Sequence, residues 1–177
     1  MKRILVPTDF SEASRIAVGH AVEVAEALGG ELVLLHVVDE VQVGRAPLAG
    51  LREVFTMTID PTGNAFNYQI PHDADLQSLC ERAEWKLAAM LPPLEADRLR
   101  TLVVVGNVAD EIVRVATEEG TNLIIMGIQG KRGWRRLHLD SVSEKVVERS
   151  TIPVITLWLP RGATAERRRA RDVVCTV

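Results

Sequence analysis

The stretch NLIIMGIQGKRGWRRLHLDSVSEKVVERS, Asn122 to Ser150, decides how the chain is organised. Its apolar run Leu123-Ile124-Ile125-Met126 is short enough to be a strand buried on both faces. Gly127 and Gly130 then break the pattern, a basic loop follows, and an apolar-periodic helix is predicted over Val142 to Arg149, with Ser141 before it. A strand, a Gly-bearing loop and a helix N-terminus together suit an anion. The first-turn N–H groups lack partners inside the helix, the macrodipole favours negative charge there, and glycine lets the backbone come close to a phosphate.

Working outward, Arg3 to Val6 reads as a buried first strand closed by Pro7. Ser11 is a good N-cap for a helix whose inner face is Ala17, Ala21, Val24 and Leu28, and Gly29-Gly30 ends it. Glu31 to Val38 is a second buried strand, so the opening is a right-handed βαβ unit. Helical spacing returns over His72 to Leu91 and stops at Pro92-Pro93. Leu102 to Val105 is a third strand, Asn107 caps a helix over Ala109 to Glu119 with Gly120 as its C′ residue, and Pro153 to Leu159 is a fifth strand. Five strands alternating with four helices predict an α/β fold, a parallel doubly wound sheet. With strand order 3-2-1-4-5, ligands would bind between the first and fourth strands, where Asp9 and Gly127 would meet.

Composition narrows the function. The 177 residues are 47% hydrophobic and 25% charged, as expected for one soluble globular domain, here residues 1–160. The Arg-rich tail 161–177 carries five arginines against Glu166 and Asp172, a net +3, which leaves −6 on the rest of a chain whose total is −3. That balance argues against general nucleic-acid binding. The tail lacks a packing pattern and reads as disordered, with docking to an acidic partner as the alternative. No apolar run is long enough to span a membrane and no signal-peptide core opens the chain. Two cysteines give no disulfide framework, so a reduced, cytoplasmic setting is expected. Residues 40–71, rich in Pro and Gly, read as a long variable loop with one short helix around Leu48 to Met57, or as a lid. His20, His36, His72 and His138 have no metal-ligand spacing, and no nucleophile elbow or Walker A lysine is present.

Four segments, PTDFSEAS at Pro7 to Ser14, LLHVVDE at Leu34 to Glu40, VVGNVADEI at Val104 to Ile112 and MGIQGKRG…DSVSEKVV at Met126 to Val147, resemble the universal stress protein family in order and spacing. The resemblance implies a Rossmann-like, adenine nucleotide alpha hydrolase-like sandwich, and a stress-response regulator that binds ATP or AMP. Carried over by position, Pro7, Thr8 and Asp9 would meet the adenosine and Val37 would offer backbone groups to the adenine. Met126, Gly127, Gly130, Asp140, Ser141 and Val142 would surround the phosphates. The resemblance also implies a homodimer through Pro153, Val154, Ile155, Thr156, Leu157 and Trp158, alongside unknown regulatory protein partners. No base or nucleophile pair stands out in the sequence, so at most slow ATP hydrolysis is expected.

The departure from the family's phosphate motif is Asp140, which stands where its third glycine would be. A carboxylate a few Å from a triphosphate costs about 1–3 kcal/mol at intermediate dielectric. A Mg²⁺ ion held between Asp140 and phosphate oxygens would offset that cost. Alternatively, Asp140 competes for the helix-terminal N–H groups, and the chain is a nucleotide-free dimeric interaction module. Plainer readings exist for several residues. Asp9 could bond turn N–H groups alone, Ser141 with Glu144 makes a capping box, and the two glycines could serve turn geometry. The fifth strand's apolar edge must be covered either by a second copy or by the chain's own loop or tail.

Overall fold

The computed structural model describes residues 2–39, 58–59, 65–66, 74–92, 94, 96–129, 142–159 and 173–175. Its main sheet is built from β1 (Arg3–Pro7), β2 (Glu31–Asp39), β5 (Leu99–Gly106), β6 (Leu123–Gln129), β7 (Val154–Leu159) and β8 (Val173–Cys175). A two-stranded hairpin, β3 (Thr58–Ile59) with β4 (Ala65–Phe66), forms a separate small sheet. The main sheet runs β5-β2-β1-β6-β7-β8. Its five long strands are parallel and, counted in chain order, give the expected 3-2-1-4-5. Four helices cover it: α1 (Glu12–Leu28), α2 (Ala74–Ala88), α3 (Val108–Glu118) and α4 (Val142–Arg149).

The strands' continuous apolar runs serve two cores, because alternate side chains point to opposite faces. Val6, Leu32, Leu34, Val103, Ile125 and Leu157 pack with α1 and α2 on one face. Leu5, Val33, Leu35, Val104, Ile124 and Val154 pack with α3 and α4 on the other. Aromatic residues are nearly absent from both, and small side chains on α1 (Ala13, Ser14, Ala17, Ala21, Ala25) bring that helix close to the sheet.

Local signals hold at the helix ends. The Ser11 hydroxyl accepts from the Ser14 N–H at 3.2 Å, and Gly29 leaves α1 at φ 58°. The Asn107 side chain accepts from the Asp110 N–H, and Gly120 at φ 61° follows α3. Non-local partners finish these ends. The Arg98 guanidinium donates to the Gly30 carbonyl at 2.8 and 3.0 Å and to the Ala25 carbonyl at 2.9 Å, neutralising the negative end of α1. At the same end of the sheet Arg3 pairs with Glu31 and Glu119, and Arg100 joins Glu119 at 2.7 Å.

Three expectations need correction. Gly127 does not break the fourth strand, because β6 continues through it to Gln129. The stretch 40–71 contains the β3–β4 hairpin as well as loop, while the short helix expected near Leu48 to Met57 lies outside the described residues. The tail is not patternless throughout, since Val173–Cys175 pairs antiparallel with β7, Val174 opposite Thr156. Its outward edge offered N–H and C=O groups that a strand of either direction can satisfy.

Replacing Arg98 by Met keeps the stem's packing and removes the donors to the buried Gly30 carbonyl. A loss of about 1–3 kcal/mol is expected in urea unfolding, with an unchanged m-value.

Candidate functional site

The chain passes from β1 through α1 to β2 and β5 on one side, then returns through α3 to β6 on the other side of β1. This reversal is the switch point at which parallel sheets open a crevice beyond their carboxyl ends. Here the two strands part early. β1 and β6 pair at Ile4↔Leu123 and Leu5↔Ile124, and β6 then runs on to Gln129.

The predicted residues gather around this opening to different degrees. Pro7 and Thr8 are buried at the end of β1, and Asp9 is exposed beyond them. Val37 on β2 and Met126 on β6 are buried side chains of the α3/α4 face, at the same end of the sheet. Val142 opens α4 with its side chain exposed. Gly130, Asp140 and Ser141 lie outside the described residues, and so does the expected capping box of Ser141 with Glu144.

Gly127 has a packing reason that spacing alone does not reveal. A Cβ built there would sit 2.1 Å from the Ala13 carbonyl oxygen and 2.7 Å from the Ser14 backbone nitrogen. The first turn of α1 therefore lies directly on β6, and turn geometry is not what requires this glycine.

Asp9 makes the plainer contact. Its Oδ1 accepts the Ser11 N–H at 3.0 Å, forming an Asx turn ahead of α1. Burial pushes its carboxyl up, but hydrogen bonds from the Ser11 side chain and backbone outweigh it and leave Asp9 below the usual carboxylate range. Asp9 is thus held as an anion beside the crevice. As an anion it can accept hydrogen bonds from hydroxyl or N–H donors and repels other anions.

The turn that carries Asp9 is supported by residues that the sequence motif did not single out. Phe10 adopts φ 64°, a left-handed conformation that costs a non-glycine residue about 1–2 kcal/mol. Its N–H donates to the Thr8 hydroxyl at 3.0 Å, and that hydroxyl lies 3.0 Å from the Ser14 hydroxyl. The Phe10 ring lies 4.3 Å from the His36 ring, centroid to centroid, with Lys86 Nζ 5.1 Å from the Phe10 centroid. His36 Nδ1 is 2.8 Å from the Thr8 carbonyl oxygen, an acceptor only, so Nδ1 carries the proton and donates. His36, on β2, is thus a hydrogen-bonded strand residue. An aromatic directly after Asp9 and a histidine inside an apolar strand were the available signals, and only the fold brings them into contact. A shallow hollow of about 450 Å³ is lined by Phe10, in the turn after Asp9, and by Glu12, Arg15 and Ile16 of α1.

Among the described residues, no group of three or more His, Cys, Asp or Glu side chains is placed to hold a metal ion. The buried Cys80 thiol is pushed up to about 11 by burial and by Glu84 and Glu81, so it is unreactive at neutral pH. No helix among these residues is long and apolar enough to cross a membrane.

These features define a parallel α/β sandwich with a switch point between β1 and β6 and an anionic turn beside it. The chain belongs to the universal stress protein family, whose profile matches residues 1–157. It is similar to Universal stress protein MJ0577 of Methanocaldococcus jannaschii, with 32% identity over 88% of this chain and 94% of that protein. The solved structure of MJ0577 aligns with a TM-score of 0.62 over 92% of this chain and 98% of that one. Universal stress protein YxiE of Bacillus subtilis is 32% identical over 86% of this chain and 96% of that protein. A universal stress protein solved in complex with cAMP shares the fold at 20% identity and a TM-score of 0.52, covering 89% and 96% of the two chains.

Two outcomes test this account. Gly127→Ala is expected to cost at least about 1–3 kcal/mol, because the clash is with backbone that cannot rotate away. The second concerns pH. Burial lowers the His36 pKa from 6.5, with Lys86 adding to this and the Thr8 carbonyl and Asp9 opposing it. The unfolded chain therefore binds the proton first, and stability falls as pH drops below about 6.5. His36→Asn retains a donor for the Thr8 carbonyl without titrating. Its stability, followed by thermal unfolding, should decline less steeply just below pH 6.5 than that of the native chain.

Proposed function

We propose that this chain is a cytoplasmic stress-response regulator that binds an adenine nucleotide, ATP or AMP, in the switch-point crevice. The observation that carries the reading is the parting of β1 from β6 after Leu5↔Ile124, beside the anionic Asp9 turn. Asp9 would accept from ribose hydroxyls, and the backbone at Val37 would meet the adenine edge. Phosphates would lie toward Met126, Gly127, Gly130 and the first N–H groups of α4, at Ser141 and Val142, where the helix end favours negative charge. Mg²⁺ would be recruited with the nucleotide, shared between phosphate oxygens and Asp140. A protein of the same fold solved with cAMP is a precedent for adenine chemistry on this scaffold and, at 20% identity, speaks to the fold alone. Binding rather than turnover is the proposed role, with hydrolysis at most slow and incidental.

The competing reading, a nucleotide-free interaction module, is favoured by two observations. Asp140 replaces the third glycine of the phosphate motif, and Gly127 is already required by packing against α1.

Calorimetric titration of ATP and AMP, with and without Mg²⁺, separates them. The native chain is expected to bind ATP in the micromolar range only with Mg²⁺, and Asp140→Gly to bind without it. Binding by the glycine variant alone would mean that position 140 has closed the pocket. No heat from either folded protein leaves the interaction module.

A further inference from the structure

The outer edge of β7 is occupied by the chain itself. β8, three residues long, pairs antiparallel with the middle of the six-residue β7: Ile155↔Cys175, Thr156↔Val174 and Leu157↔Val173. Val154, Trp158 and Leu159 lie beyond that pairing, and Trp158 remains 45% exposed. The cover is therefore short, and an apolar edge strand extends past it at both ends.

A second copy of β7 would fit the same edge. Two identical strands related by a two-fold axis lie antiparallel, and a symmetric pairing centred near Thr156 uses each strand's own outward N–H and C=O groups. Each of those groups has one place for a strand partner. The groups between Ile155 and Leu157 that serve β8 are the ones on which such a pairing would be centred. Capping and self-association are mutually exclusive for reasons of backbone hydrogen bonding.

We propose that β8 is a displaceable cap that competes with a second copy of this chain for the edge of β7, making the C-terminal segment a built-in inhibitor of dimer formation. The cap is tethered through residues 160–172, so its effective concentration at the edge does not change with protein concentration, whereas that of a second copy does. The capped monomer is favoured in dilute solution and the β7–β7 dimer in concentrated solution. Anything that engages the five arginines between Arg161 and Arg171 and pulls on the segment would favour the dimer. This inference is independent of nucleotide binding.

Sedimentation over a range of concentrations tests it with three proteins: the full chain, a chain ending at Pro160, and full-length Val174→Pro. Proline keeps the length and charge of the tail but removes a strand donor. A cap in place about nine-tenths of the time weakens association about tenfold per protomer, because only the uncapped fraction can pair. Both altered chains are therefore expected to dimerise at concentrations lower by about tenfold or more. Trp158→Glu in the shortened chain, which puts a charge beside the exposed edge, should restore the monomer. Equal dissociation constants for all three proteins would overturn the proposal. So would a shift in the shortened chain alone, which would trace the effect to the arginines, or a Trp158→Glu chain that stays dimeric.

Discussion

The structure depends on how closely the first turn of α1 lies on β6. The Ala13 carbonyl oxygen comes so near to Gly127 that a single methyl group there would stand 2.1 Å from it. This approach sets the height of α1 over the sheet, a height the small residues Ala17, Ala21 and Ala25 maintain along the helix. It also fixes the turn before α1. Thr8, Asp9, Phe10 and Ser11 must climb from β1 to the helix in very little space, and Phe10 takes a left-handed conformation to do so. Hydrogen bonds from Thr8 and Ser14, and the ring contact with His36, offset that strain.

The same contact adjoins the crevice. α1 lies on β6, and beside it the first and fourth long strands pair over one short stretch, Ile4↔Leu123 and Leu5↔Ile124. Buried Val37 and Met126 form apolar ground on the α3/α4 side, while Asp9 brings negative charge to the rim.

Most of the fold was legible because its signals are local and repeated. Apolar runs bounded by Pro or Gly marked the strands, N-caps at Ser11 and Asn107 marked two helix starts, and αL glycines at 29 and 120 marked two helix ends. The place of the candidate site, between the first and fourth strands near Asp9 and Gly127, followed from the strand order, whereas Val37 entered only through the joint resemblance of four segments. Gly127 is instructive: a glycine in an apolar run reads as an interruption, and nothing within the run tells of a helix carbonyl above it. The contact of Phe10 with His36 and Lys86 was not legible because the three are 26 and 50 residues apart in sequence and meet only where the turn before α1, β2 and α2 come together.

The amino-acid sequence by itself determined the succession of strands and helices, their faces, and membership of a family, because periodicity, caps and motif spacing are properties of short neighbourhoods. Tertiary structure alone decided three things. It decided that Gly127 is demanded by packing, that a histidine and a phenylalanine brace the Asp9 turn, and that Val173–Cys175 takes the free edge of β7. Each is a contact between residues far apart in the chain, and such contacts exist only once the sheet has set the distances between its neighbours.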